Sequence, residues 1–384
     1  MIYFNNAATT WPKPEVVYTT VDECFRSMDS PMRNAAENVL HDDVMTKSRD
    51  VMAGFFGVKE PKHLVLTPGC TYALNLAIQG IDWQQDDVVL MSGLEHHAVS
   101  RPVRKVASEY GVRFAVAPYT HEEPIDLDFV ERTLKRGRVR LVACTMASNV
   151  SGDILGVKDV VRIAKRYEVC TLIDCAQAAG VLDIDVGDLG ADMVAFAGHK
   201  GLYGPPGIGG LYVAPGVDLR TLAEGGTGGD SGKHPLAHKL PNSYEVGTHN
   251  LPAIAGLAAG IKWVEEKGVA NIRRHERSLV QKFIEGVSQI PGVTVYGSKD
   301  VEKRAGAVSL TMNGISPKDL ARWLATEHQV TTRAGFHCAP LAHETIGTCP
   351  GEGTIRFGFG FFNTLDEVCL VVDHLLHAPR TVSA

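Results

Sequence analysis

The 384-residue sequence predicts an α/β protein: a mostly parallel seven-stranded sheet between helices, followed by a smaller α+β unit. Three observations carry this prediction. Short β-branched runs alternate with helical stretches through the first two-thirds of the chain, as in parallel strands joined by helical crossovers. The runs are apolar enough to be covered on both faces of a sheet. Beyond a Gly-rich stretch the rhythm changes, and strands and helices mix without regular alternation.

The elements follow in order. Strands are predicted at HLVLT (63–67), DVVLMS (87–92), VRFAVA (112–117), VRLVACT (139–145), VCTLID (169–174), DMVAFAG (192–198) and GGLYVA (209–214). Helical patterns lie between several of them, at 71–80, 98–110, 128–136 and 157–168. EGGTGGDSG (224–232) interrupts the series. An Ala-rich helical pattern, 251–268, then links the halves. VTVYG (293–297), AVSLTM (307–312) and TIRFGFG (354–360) read as strands of the smaller unit, with helices near 270–289, 317–328 and 365–377.

Composition narrows the function classes. Lys plus Arg is 38 and Asp plus Glu is 44, a formal charge of −6 without charge blocks. That balance argues against nucleic-acid binding, which needs a basic stripe or tail. A content of 45% hydrophobic and 21% charged residues is that of a folded chain with a large core. The eight cysteines include no CxxC pair and read as reduced thiols. No segment has the length and apolarity of a membrane span. MIYFNNAATT lacks the regions of a secretory leader, so the expectation is a cytoplasmic protein.

Ligands of parallel sheets sit at the carboxyl ends of strands. Asp174 ends the run LIDCAQAAG (172–180) there, and either caps the next helix or pairs with a buried cation. Lys200, in AFAGHKGLYGPPG, follows the next apolar strand among glycines and prolines. It is either a surface loop lysine or a desolvated amine able to form a Schiff base. An acid at one strand end and Gly-His-Lys at the next fit pyridoxal phosphate, which needs a lysine, an acid at its ring nitrogen and a phosphate cup. TPGCTYALNLA (67–77) offers the cup, because Gly69, Cys70 and Thr71 open a helix.

The ordered motifs PGCTYALNLA, LEHHAVSRP, SNVSGDILG, DCAQAAG, GHKGLYGPPGIGGLYV, YEVGTHN and RAGFHCAP resemble the class V aminotransferase-like, fold type I pyridoxal phosphate enzymes. Within them the sequence is similar to the cysteine desulfurase and selenocysteine lyase group, from YFNNAATT to TIRFGFGFFNT. The resemblance implies a large cofactor domain at 14–255 and a small domain from 1–13 and 256–384. It implies that Lys200 holds the cofactor and shuttles protons, that Asp174 faces the ring nitrogen, and that Gln177 meets the ring oxygen. His96 would stack on the ring; its neighbour His97 has no implied role. Thr71, the backbone of Cys70 and His199 would hold the phosphate, with Thr248 reaching across a homodimer. Asn149 and Arg356 would grip the substrate carboxylate, while Arg333 would orient the nearby loop or assist. Cys338, in a compact loop like that of the group II enzymes, would take sulfur from L-cysteine as a persulfide and release L-alanine.

Several readings remain side by side. Selenocysteine lyase or a cysteine or cystine C–S lyase working by β-elimination would use the same cofactor; a class V aminotransferase or an inactive sulfur-transfer scaffold ranks lower. A sulfur-acceptor protein is implied, and iron–sulfur assembly, thionucleosides and cofactor thiolation are all open destinations. Ala197 stands where relatives often carry a hydroxyl, Asn5 where they carry an acid, and SPMRNAAENVL (30–40) departs from their pattern. Cys349 is either structural or a second sulfur receiver. No metal is expected, since no motif has structural-zinc spacing.

Overall fold

A computed structural model describes residues 1–27, 39–120, 122–227 and 239–380. The departures at 30–38 and the Gly-rich residues 228–232 lie outside them. Among the described residues, thirteen strands follow in chain order. They are β1 (Ile2–Tyr3), β2 (Leu64–Thr67), β3 (Val88–Ser92), β4 (Arg113–Ala117), β5 (Val139–Thr145), β6 (Cys170–Asp174), β7 (Met193–Ala197) and β8 (Gly209–Val213). The remainder are β9 (Val293–Tyr296), β10 (Ala307–Met312), β11 (Val330–Thr331), β12 (Arg333–Gly335) and β13 (Thr354–Gly358).

The large sheet has seven strands in the order β2-β8-β7-β6-β5-β3-β4. Only β8 runs against the rest, pairing antiparallel with both β7 and β2. Successive side chains of a strand point to opposite faces, and here both faces are covered. Leu64, Leu66, Val142, Ile173, Val194 and Phe196 join one buried cluster. Their neighbours Val65, Leu141, Ala143, Leu172, Met193 and Ala195 join another. The continuous apolar runs of the inner strands therefore have no wet face, whereas the edge strand β4 leaves Arg113 and Phe114 exposed.

The second sheet, β12-β13-β10-β9, is antiparallel throughout. One face packs on the helices Val269–Val287, Pro317–His328 and Leu365–Leu376 through Ile355, Phe357, Val308 and Leu310. Period-two alternation then sends Arg356, between Ile355 and Phe357, to the opposite face, away from that core. The N-terminus belongs to this side of the molecule: Ile2 pairs with Val330, and Asn5 bridges to Gly358.

The sequence reading passed over the helices Glu15–Arg26 and Val39–Phe55, the strands β1, β11 and β12, and the helix Pro340–Thr345. Glu15–Arg26 buries only Val17, so it lacks the wide apolar stripe that marks a helix. The other strands named are two or three residues long, too short to show a period.

Candidate active site

The carboxyl ends of β3, β5, β6 and β7 and the edge of the second sheet enclose a cavity of about 790 Å³. Cys70, Thr71, His96, Asp174 and Gln177 line it. So do His199 and Lys200 on one side and Asn149, Arg333 and Arg356 on the other. Of the residues singled out in sequence, Cys338 and Thr248 do not line it: Cys338 is half-buried next to the lining residue His337, and Thr248 is exposed on the loop after Glu245. Ala197 lines the cavity, and Cys349 does not.

Lys200 follows β7 in a turn fixed by its backbone. The His199 carbonyl accepts from Thr10 N (3.1 Å), Thr9 Oγ1 (3.0 Å) and Lys13 Nζ (2.8 Å). The Lys200 carbonyl accepts from Tyr203 N (2.8 Å) and Thr10 Oγ1 (3.0 Å). The turn is thus held while the amine faces the cavity. Burial lowers the Lys200 pKa, and the Asp174 charge opposes that shift. An amine so placed gives up its proton readily and can act as a nucleophile or base.

Asp174, the last residue of β6, is 4% exposed. Its Oδ1 accepts from Ala176 N at 2.8 Å and from Cys70 Sγ at 3.5 Å. Burial raises its pKa, with the Ala176 N–H and Lys200 pulling the other way. Cys70 begins the helix Cys70–Gln79. The Tyr72 and Ala73 N–H groups return to the Gly69 carbonyl, which leaves those of Cys70 and Thr71 for an anion. Gln177 Nε2 donates to Ala7 O at 2.9 Å.

His96 caps the helix His97–Tyr110, its Nδ1 accepting from Ala98 N at 3.0 Å. That bond assigns the ring hydrogen to Nε2. Burial first, then Lys200 and other cations, lower its pKa to about 3, so the ring is neutral. His199 is likewise neutral, lowered to about 4 by burial. Beneath His96 lies a group the sequence reading missed. Glu95 is 0% exposed, and its Oε1 accepts from Ser92 Oγ (2.5 Å) and Thr145 N (2.8 Å). Burial raises it to about 8, so at neutral pH it is a carboxylic acid that ties the ends of β3 and β5. Its position immediately before His96 was the only sequence signal.

Across the cavity, Arg333 and Arg356 are direct partners on β12 and β13. Like charges opposite each other on a sheet are unfavourable unless an anion lies between them. Arg356 is 1% exposed; Nη1 donates to Asn149 O (2.7 Å), while Nε has no partner. Its Nη2 reaches Asn5 Oδ1 only at 3.5 Å. Asn5, the neutral residue noted in the sequence as a departure, leaves the guanidinium charge uncompensated at that end. Burial and Arg333 make the Arg356 charge costly, lowering its pKa. A carboxylate would satisfy this pair bidentately.

Arg333 Nη2 also lies 3.1 Å from Cys338 Sγ. Cys338 and His337 both sit in the left-handed region, at φ 59° and 48°, a conformation held only by surrounding contacts. Those contacts are plain: His97 N donates to Cys338 O (2.8 Å), Asn149 Nδ2 to His337 O (2.8 Å), and His337 Nε2 meets Thr354 Oγ1 (2.9 Å). The loop spans only 336–339 between β12 and the helix Pro340–Thr345. Asn149 thus grips the Cys338 loop and Arg356 at once. Among the described residues no group of three His, Cys, Asp or Glu is arranged to hold a metal.

Comparison with known proteins gives the same reading of this architecture. The aminotransferase class-V model matches residues 2–371. The chain belongs to that family. It is 32% identical over 379 residues to a probable cysteine desulfurase of Pyrococcus abyssi, covering 96% of this chain and 92% of the relative. A probable cysteine desulfurase of Mycolicibacterium paratuberculosis is 32% identical over 394 residues, all of this chain. The chain spans 55% of that relative's length. The apo structure of the cysteine desulfurase from Thermococcus onnurineus NA1 superposes with a TM-score of 0.90 at 30% identity, covering 98% of this chain and 94% of that one.

Proposed function

We propose that this protein is a pyridoxal phosphate-dependent cysteine desulfurase, which converts L-cysteine to L-alanine and carries the sulfur as a persulfide on Cys338. The observation that supports it most is the Arg333 contact, which sets the Cys338 thiol beside the carboxylate clamp and inside reach of one substrate. The residues fit the cofactor. Lys200 would hold it, and Asp174 would face its ring nitrogen with the oxygen that lacks a partner. His96 would lie on the ring, Gln177 would meet its oxygen, and Cys70, Thr71 and His199 would hold its phosphate. Bound there, pyridoxal phosphate supplies the electron sink that weakens bonds at the substrate Cα and Cβ.

The chain's own groups do the rest. Arg356, with Asn149, binds the α-carboxylate. Lys200 Nζ removes the proton from Cα. The Cys338 thiolate attacks the substrate sulfur; an S–S bond forms, the Cβ–S bond breaks with its electron pair left on carbon, Cβ gains a proton, and Lys200 Nζ returns a proton to Cα to leave alanine. Neutral His96 packs without adding charge beside Lys200. The compact 336–339 loop supports a group II-like enzyme. The reading includes a cytoplasmic homodimer, with Thr248 reaching the second copy's phosphate cup, and an acceptor protein that takes the sulfur.

The test is product stoichiometry from L-cysteine without and with reductant. Alanine matching sulfide supports desulfuration, whereas pyruvate matching sulfide assigns β-elimination and removes the nucleophile from the reaction. Cys338→Ala should keep the cofactor's visible absorbance and lose the persulfide. Undiminished sulfide release by that variant would refute the role of Cys338.

A further inference from the structure

The proposed chemistry uses the backbone of Cys70 and leaves its thiol without a task. We propose that the Cys70 side chain is a positioning residue for Asp174: its S–H donates to Oδ1 and fixes the carboxylate so that Oδ2 alone is presented to the cofactor ring. The inference rests on the desulfurase reading for the identity of the cofactor.

The geometry is specific. Oδ1 already accepts from Ala176 N at 2.8 Å, and the thiol adds a second donor at 3.5 Å, within the longer reach of sulfur. Both donors fall on one oxygen. Cys70 is a buried residue, 8% exposed, which limits competition from water for its thiol. Burial first, then the Asp174 charge, push its pKa well up; it stays an S–H donor beside a carboxylate, where a thiolate would repel.

The position of Cys70 is also fixed from behind. A β-carbon at Gly209 would lie 2.9 Å from Cys70 N and 2.5 Å from Phe196 O. Glycine at 209 lets β8 press directly on the start of the helix Cys70–Gln79. One residue therefore joins two ends of the cofactor cradle, with its N–H facing the anion and its thiol facing the acid. The Cys70 bond favours the ionised carboxylate and so opposes the rise that burial gives the Asp174 pKa. Removing the donor makes the carboxylate harder to ionise and frees it to rotate.

The test compares holoenzyme carrying Cys70→Val, which has similar bulk and no donor, with Cys70→Ser, which keeps one; Cys70→Ala serves if valine prevents folding. The readouts are the pH titration of the cofactor's visible absorbance and the cofactor dissociation constant. The donorless variants should bind cofactor about 2- to 10-fold more weakly, the range of one hydrogen bond, and shift the titration, with Cys70→Ser near native in both. A titration unchanged in the donorless variants would overturn the inference while leaving the desulfurase reading intact. Equal shifts in serine and valine variants would overturn it as well, assigning the effect to size. A native protein that takes up no pyridoxal phosphate would overturn that reading, and this inference with it.

Discussion

Arg356 shows what a single residue contributes. It sits on a strand whose neighbouring positions point into an apolar core, with its guanidinium facing the cavity and Nε unpaired. Lysine there would offer one point charge in place of a planar fork. Arg356→Lys is expected to raise the KM for L-cysteine and lower kcat/KM about 10- to 150-fold, the loss of a charge-assisted bond worth about 1.5–3 kcal/mol. Steady-state kinetics with the cofactor absorbance as control checks it. Arg333 acts on the other reactant. Arg333→Met removes the cation 3.1 Å from Cys338 Sγ, and alkylation of Cys338 at pH 7 should slow about threefold to tenfold. Mass spectrometry of the labelled peptide would read the rate, and an unchanged rate would detach Arg333 from the thiol. Arg356 was legible in TIRFG by resemblance. Its pairing with Arg333 was not, because strand register between residues 333 and 356 is a tertiary fact. The Glu95 carboxyl escaped for the same reason: its partners Ser92 and Thr145 come from two strands.

At the scale of elements, the site depends on how short segments are pinned. The sequence reading placed all seven strands of the large sheet and the strands β9, β10 and β13, because runs such as VRLVACT are apolar on both faces. It singled out RAGFHCAP by motif but could not show how the loop is held. Two consecutive left-handed residues are costly, and their anchors come from elsewhere in the chain: His97, Asn149 and Thr354. Thr354→Val would keep the shape of β13 and remove the partner of His337 Nε2. His337 is 2% exposed, so the orphaned nitrogen should cost about 1–3 kcal/mol of stability. Persulfide formation should slow, while the cofactor spectrum stays native. A variant with native persulfide rates would show that the loop holds Cys338 without this bond.

Across the whole molecule, buried titratable groups couple the fold to pH in opposing directions. Burial raises Glu95 and Glu276 to about 8 from 4.5. Between those values the folded chain binds more protons than the unfolded one, so their contribution is complete at low pH and is lost as pH climbs toward 8. Burial lowers His96 to about 3 and His199 and His343 to about 4, from 6.5. There the unfolded chain binds more protons, and stability rises with pH up to 6.5. Lys13, lowered by burial to about 7 from 10.5, adds stability above neutrality. Comparing the native protein with Glu95→Gln isolates one group, since the amide mimics the neutral acid and cannot ionise. The stability of the native protein minus that of the variant should fall by about 2 kcal/mol from pH 6 to pH 8, following 1.36 kcal/mol per pH unit for one proton and flattening near pH 8. Urea unfolding at pH 6, 7 and 8 measures it. A difference that stayed level or rose would mean that Glu95 is ionised in the fold, and that the β3 and β5 ends beneath His96 are tied by a carboxylate rather than a neutral acid.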